Sequence, residues 1–293
     1  MITRTHTDQS GGSPAVSLFL TGFCAITLFC APIWAQTARV ATISAPPGAV
    51  VRWSAVGTTA CGMKSRSWAA VKGTCYYPID LGQTPGTRIS ISRSGAGHTR
   101  YGHIIVDAID YGTEDITLPD IPQANPSAAD LQRDERDRMK LAKIFNRKEG
   151  LPKFTLPLAP PARPLPPAKS FGVKRIFNGK PASQPHTGID YATPVGSPVL
   201  AVANGTVMMA EEMFFEGNAV FIDHGDGLIS MYFHLSDIKV QVGDEIKKGD
   251  VLGRVGSTGR ATGPHLFFGI RWHDARINPQ FLLEDPGKIP SIP

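Results

Sequence analysis

The stretch His186-Thr-Gly-Ile-Asp190 decides the fold of the second half of this chain. Pro185 stands immediately before it and Gly188 lies inside it, and both residues disfavour a helix. His186 and Asp190 are therefore expected where a loop enters a strand. An imidazole and a carboxylate brought together in this way are suited to binding Zn²⁺.

A second stretch, Gly263-Pro-His-Leu-Phe-Phe-Gly269, follows later in the chain. Strand alternation places His265 and Phe267 on one face, and Leu266 and Phe268 on the other. We predict that the Leu266 face belongs to the core and that the His265 face looks at the metal.

Composition indicates a folded protein made mainly of strands. The chain has 293 residues, of which 42% are hydrophobic, with 30 glycines and 25 prolines. Glycines and prolines that separate short runs of β-branched and aromatic residues favour an all-β protein with frequent turns. The net charge of +5 and the pI near 9.0 suit an anionic partner such as a cell-wall polymer, a membrane surface or nucleic acid.

Residues 1–35 are predicted to be a secretory signal peptide. Arg4 and His6 precede an apolar stretch from Val16 to Trp34, and small residues offer a cleavage site before Gln36. The expected location is the periplasm or the medium outside a bacterium. The alternative is a membrane anchor, in which the uncleaved segment would be the only contact with the membrane.

Two cysteines remain after removal of the signal, Cys61 and Cys75. In an oxidising compartment, an even pair at short spacing is expected to form a disulfide. The alternative is two unrelated buried thiols.

Residues 36–124 are predicted to form a small β domain, a sandwich of short alternating strands. These strands are expected at 50–53, 87–91, 102–106 and 116–118. The aromatic residues of this domain suit either a wall-binding surface or a core, and a core is favoured. They are Trp53, Trp68, Tyr76 and Tyr77.

Residues 125–150 are predicted to be helical, with Ser127 as the N-cap and Asp130 three residues later. The charged run 133–138 is mixed in sign, which indicates a solvated face and argues against nucleic-acid binding. Residues 151–170 are rich in proline and predict a semi-rigid extended linker.

Residues 171–293 are predicted to be a second, β-rich domain. Strands are expected at 198–202, 205–209, 219–222, 228–232 and 265–272, with Gly225-Asp226-Gly227 as a hairpin turn.

The order of motifs in this domain resembles the LytM or lysostaphin-like zinc metallopeptidases of bacteria. The motifs are His186-Thr-Gly-Ile-Asp190, Gly205-Thr-Val207, Gly217-Asn218, Tyr232-Phe-His-Leu235, Gly249-Asp-Val-Leu-Gly253, Gly256-Ser-Thr-Gly259 and Thr262-Gly-Pro-His-Leu266. The resemblance implies a half-barrel β-sheet fold, zinc as cofactor, and a peptide cross-link or stem of peptidoglycan as substrate.

The resemblance also implies roles for individual residues. His186 and Asp190 match two zinc ligands, and His265 matches the first histidine of a His-x-His strand, which acts as base or transition-state stabiliser. His234 matches an auxiliary histidine of the active site.

Phe267 departs from the family pattern, because it stands where the resemblance implies the third zinc ligand. A catalytic zinc requires three protein ligands and one water. Either another residue completes the site, such as His265 or His273, or zinc is absent.

Three functions are compatible with these patterns. The first is a peptidoglycan endopeptidase that uses a metal-bound water, with a groove between loops 211–217 and 256–263 carrying Phe214, Phe215 and Arg260. The second is a degenerate domain that binds the cell wall or activates a separate amidase. The third is a carrier half-barrel around 242–249, which the residues flanking its two lysines disfavour.

Overall fold

A computed structural model describes residues 40–146 and 150–293, so the predicted signal peptide lies outside the described residues. Within those ranges the protein is built mainly from strands, which confirms the predicted fold class. No helix in the described ranges is long and apolar enough to cross a membrane.

Seven strands form the N-terminal β region. They are β1 (Ala41–Ala45), β2 (Val50–Ser54), β3 (Thr58–Met63), β4 (Arg66–Ala69), β5 (Thr74–Pro78), β6 (Arg88–Gly95) and β7 (His98–Val106). A five-stranded sheet in the order β1-β7-β6-β3-β4 is joined by the two-stranded ribbon β2-β5.

The four aromatic residues Trp53, Trp68, Tyr76 and Tyr77 are buried and do not form an exposed binding surface. Trp53, Trp68 and Tyr77 are buried with the strand residues of both sheets. Cys61 on β3 and Cys75 on β5 form a disulfide with a Cα–Cα distance of 5.4 Å. The disulfide therefore joins the five-stranded sheet to the ribbon.

A small three-stranded sheet connects the two halves of the chain. It contains β8 (Thr113–Ile116), β9 (Lys174–Phe177) and β10 (Lys180–Pro181) in the order β10-β9-β8. Strand β8 was expected in the N-terminal domain, but it pairs in parallel with β9, which follows the Pro-rich segment.

Helix α1 spans Ala128–Phe145 and begins at a capping box, in which Ser127 and Asp130 exchange hydrogen bonds. Ile144 packs on the large sheet of the second half. The expectation of a wholly solvated charged run is wrong, because Asp134 and Asp137 are buried. Asp137 is buried because its Oδ2 accepts a hydrogen bond from the backbone N–H of Phe214 at 3.0 Å.

The Pro-rich segment has no regular secondary structure, as expected for an extended chain, but it is docked against the protein. Phe154, Leu158 and Ala162 are buried in the main core, and the Phe154 ring meets Trp272 edge-on at 5.7 Å. Apolar side chains between the prolines explain the docking, since burying each one removes apolar surface from water. Residues 40–293 consequently form one compact unit.

The second half is built on a nine-stranded sheet. Its strands are β11 (Gly188–Tyr191), β12 (Pro198–Leu200), β13 (Gly205–Met213), β14 (Gly217–Asp223), β15 (Leu228–Ile238), β16 (Glu245–Ile246), β17 (Val251–Val255), β18 (Leu266–Trp272) and β19 (Ala275–Ile277). The main path runs β11-β18-β15-β14-β13-β16, with β17 on β15 and β12, and β19 on β18. Helix α2 (Gln280–Leu283) and the 3-10 turn Pro286–Lys288 follow.

Candidate functional site

The register of three adjacent strands assembles the site. On β18, Phe267 lies between Asp190 of β11 and Phe233 of β15 as their cross-strand partner. Residues directly opposite each other in a sheet share a face. Leu266 and Phe268 point to the other face and are fully buried in the main core, as alternation predicts.

Ser170, at the end of the Pro-rich segment, holds both residues of the first motif. Its carbonyl lies 2.9 Å from His186 Nδ1, and its hydroxyl accepts the backbone N–H of Asp190 at 2.9 Å. A carbonyl oxygen only accepts, so Nδ1 of His186 donates and Nε2 faces the site. Nε2 lies 3.2 Å from Asp190 Oδ1.

The second oxygen of Asp190 is paired with a cation of the protein itself. Arg175 on β9 donates from Nη2 to Asp190 Oδ2 at 2.6 Å. Burial alone would raise the pKa of Asp190, but the nearby His186 and the charge of Arg175 outweigh burial and hold that pKa below its usual value. Asp190 is therefore a carboxylate at neutral pH.

His234 sits on an irregular part of β15, where the register with β14 shifts. Its φ of +63° is unusual for a residue with a side chain, and its backbone N–H donates to the Glu216 carbonyl at 2.9 Å. The ring donates from Nδ1 to the Thr258 carbonyl at 2.8 Å. Burial and the neighbouring His265 lower the pKa of His234 to about 4, so the imidazole is neutral at pH 7.

His265 completes a cluster of three imidazoles around Asp190. Its Nδ1 donates to the Gly263 carbonyl at 2.9 Å, its ring centroid lies 4.7 Å from that of His234, and its Nε2 lies 3.7 Å from Asp190 Oδ1. Each of the three histidines thus has its Nδ1 on a backbone carbonyl, which fixes its ring and leaves Nε2 for a ligand or a proton.

The Phe267 ring lies on the same face as these groups. It stacks on Phe233 with centroids 4.4 Å apart and meets His186 edge-on at 5.2 Å. A Cβ on Gly188 would come within 2.5 Å of this ring, so glycine is needed there. Phe267 is 5% exposed and continues an apolar cluster that reaches Ile144 of α1.

The donors present do not fit a catalytic zinc. His186 Nε2 and Asp190 Oδ1 are two candidate donors, whereas the cross-strand position beside Asp190 carries the carbon ring of Phe267. Three protein donors are needed for such a site. Within the described ranges no group of three or more His, Cys, Asp or Glu side chains has metal-binding geometry.

His273 does not complete the set. Its ring lies tilted against Trp68 with centroids 4.0 Å apart and stacks on Trp272 at 5.9 Å, and its Nε2 lies 3.8 Å from Asp226. These contacts lie outside the site.

The two loops expected to form a groove are present, but their side chains differ from expectation. Phe214 is 2% exposed because it packs under α1, so it is not available to a ligand. Arg260 lies between the rings of Phe215 and Phe177, at 4.6 Å and 4.3 Å. Burial, together with nearby acidic residues, raises the pKa of Glu216 beside them.

Sequence reasoning missed three residues that shape the site. Ser170 and Thr258 hold the two histidines through their backbone carbonyls, for which the residue type gives no signal, and Ser170 also acts through its hydroxyl. Arg175 lies fifteen positions before Asp190, and no local pattern connects the two. One general rule could have pointed to a cation such as Arg175. A carboxylate that is largely removed from water needs a positive charge beside it when a metal is missing.

Comparison with known proteins places these residues in a recognised domain. Residues 184–279 match the model of Peptidase family M23. The chain is 46% identical over 94 residues to the DD-carboxypeptidase/endopeptidase Mpg of Neisseria meningitidis, covering 32% of this chain and 22% of that protein. It is 38% identical over 101 residues to the peptidoglycan DD-endopeptidase ShyA of Vibrio cholerae, covering 34% of this chain and 24% of ShyA.

One solved structure is similar over most of the chain. A Pseudomonas aeruginosa protein assigned to peptidase M23 has a TM-score of 0.61 at 28% identity, covering 81% of this chain and 94% of its own. By contrast, the chain spans about a quarter of the length of the curated relatives it matches.

Proposed function

We propose that this chain, in which residues 184–279 match the model of Peptidase family M23, acts on the peptide part of bacterial peptidoglycan. Two relatives from Vibrio cholerae that are named peptidoglycan DD-endopeptidases, ShyA and ShyC, support this substrate class. The net charge of +5 also suits an anionic wall polymer. The disulfide supports an exported protein, periplasmic or secreted.

The observation that carries the proposal is the convergence of three fixed imidazoles on Asp190. Nδ1 donates to a carbonyl in each case, so Nε2 of His234 and of His265 is turned to the site. Because His234 is neutral, its Nε2 can accept a proton from a water placed beside a bound peptide. Such an acceptor suits an endopeptidase-type site, in which a base takes the proton of the attacking water. Hydrolysis by His265 and His234 is the first candidate activity.

A specific observation favours a second candidate, which is recognition without hydrolysis. Phe267 removes the third zinc donor, and Arg175 occupies one oxygen of Asp190. A domain of this kind would bind peptidoglycan peptides and act on the wall indirectly, for instance by activating a separate amidase.

Co-sedimentation with purified sacculi, combined with chromatography of released muropeptides, tests both candidates. If the protein hydrolyses peptidoglycan, the wild type should bind sacculi and release muropeptides. His265→Ala should still bind sacculi but release no muropeptides. Recognition alone predicts binding with background release in both proteins. Absence of the protein from the pellet at low salt would contradict the proposed substrate class. Exposed His98→Ala is the matched control, since it changes a histidine remote from the site.

A further inference from the structure

The cation of this site belongs to the protein. We propose that the Arg175 guanidinium takes the place of the metal at Asp190, so that the domain holds its site together without zinc. The inference concerns how the site is neutralised, and it stands whichever wall peptide the groove binds.

The ion pair has the geometry of a strong interaction. Arg175 Nη2 lies 2.6 Å from Asp190 Oδ2, and the two side chains are 16% and 19% exposed. Charge-assisted hydrogen bonds of this length are stronger than neutral ones, and they strengthen further when water is partly excluded. Asp190 is therefore neutralised before any metal arrives.

Arg175 is placed by β-structure and does not reach the site as a mobile surface chain. Its strand β9 pairs with β8, and the cross-strand neighbour Glu114 lies 3.4 Å from Arg175 Nε. Phe177, two residues along β9, is fixed by Arg260, whose guanidinium lies 4.3 Å from its ring. The side chain is thus pre-organised to meet Asp190, which reduces the entropy lost in forming the pair.

The Arg175–Asp190 pair balances its own charge without an added ion, because Arg175 contributes one positive charge and Asp190 one negative charge. Glu114 also pairs with Arg175, but its side chain is 52% exposed, so water screens that interaction. A zinc ion would bring two further positive charges next to a fixed guanidinium, with a carbon ring at the third donor position.

Restoring the missing histidine should consequently be insufficient for tight zinc binding. Phe267→His supplies the third donor but leaves Arg175 on Asp190. The double variant Phe267→His/Arg175→Gln removes both obstacles, and we expect it to bind Zn²⁺ at least ~10-fold more tightly than Phe267→His. Phe267→His/Arg175→Lys keeps the positive charge and should stay near the affinity of Phe267→His.

The matched control is another partly buried Arg–Asp pair. Arg276 donates from Nε and Nη2 to Asp80 at 2.9 Å and 2.7 Å, and both side chains are partly buried. Phe267→His/Arg276→Gln should lose stability without gaining zinc affinity. This control variant distinguishes the effect of losing any Arg–Asp ion pair from the effect of losing the cation beside Asp190.

The experiment measures Zn²⁺ dissociation constants on the full chain by competition with a chromophoric chelator, and thermal unfolding with Zn²⁺ or with EDTA. The wild-type unfolding temperature should be the same in both conditions, while that of Phe267→His/Arg175→Gln should rise with Zn²⁺. Equal zinc affinity in Phe267→His and in its Arg175→Gln double variant would overturn the inference. So would stoichiometric tight zinc in the wild type that His265→Ala abolishes, since His265 would then be the third ligand.

Discussion

His224 lies away from the site and should make the stability of the whole protein depend on pH. The ring is fully buried, with Nδ1 2.7 Å from the Asn204 carbonyl and Nε2 2.7 Å from Ser230 Oγ, which is hydrogen-bonded to Tyr232. Burial lowers the pKa of His224 from 6.5 to about 4. Adding a proton to this ring in the folded state is therefore unfavourable.

The direction of the pH effect on stability follows from the pH at which the folded and the unfolded protein each bind the proton of His224. The unfolded chain protonates His224 below pH 6.5, and the folded protein does so only near pH 4. Stability is therefore full above pH 6.5 and falls as the pH is lowered to about 4. At 1.36 kcal/mol per unit, the shift corresponds to about 3 kcal/mol over the whole window and about 2 kcal/mol at pH 5.0.

The assay is urea unfolding at pH 7.5 and pH 5.0, for wild type and for His224→Gln. Glutamine cannot be protonated in this range, so the loss of stability on acidification should be about 2 kcal/mol smaller in the variant. His234 has a similarly lowered pKa, but it is present in both proteins and cancels in the comparison. An unchanged pH dependence in His224→Gln would refute the reasoning, as would an equal effect of exposed His98→Gln.

Three further substitutions test individual structural features. The double substitution Cys61→Ser/Cys75→Ser removes a disulfide between residues 14 positions apart. It should lower the free energy of unfolding, measured with urea, by about 3 kcal/mol. Free thiols in oxidised wild-type protein would contradict this prediction. Ser127→Ala removes the N-cap of α1 and should cost about 1 kcal/mol, whereas Ser127→Asp should restore most of that loss. Ser170→Ala leaves the Asp190 N–H without its acceptor and should cost about 1–3 kcal/mol, with an unchanged urea midpoint as the contrary result.

Much of the second half could be predicted from the sequence, because its signals are local. The turn at Gly225-Asp226-Gly227 joins β14 to β15 as expected, and alternation along β18 correctly separated Phe267 from the core face of Phe268. The N-cap of α1 at Ser127 is likewise a property of a few consecutive residues. Such features depend on backbone periodicity and capping, which neighbouring residues alone determine.

The remainder depends on contacts between distant parts of the chain, which no local pattern encodes. Residues 151–170 read as a linker, yet Phe154 and Leu158 are buried, because the surface that covers them is assembled only on folding. The contact between Arg175 and Asp190 likewise depends on folding, because the parallel pairing of β8 with β9 places Arg175 beside Asp190. The sequence by itself predicted, through the family resemblance, that the third zinc-ligand position is substituted by Phe267. Only the tertiary structure decided which charge stands beside Asp190. A partly buried carboxylate pairs with the cation that lies nearest in space, whatever the separation of the two residues along the chain.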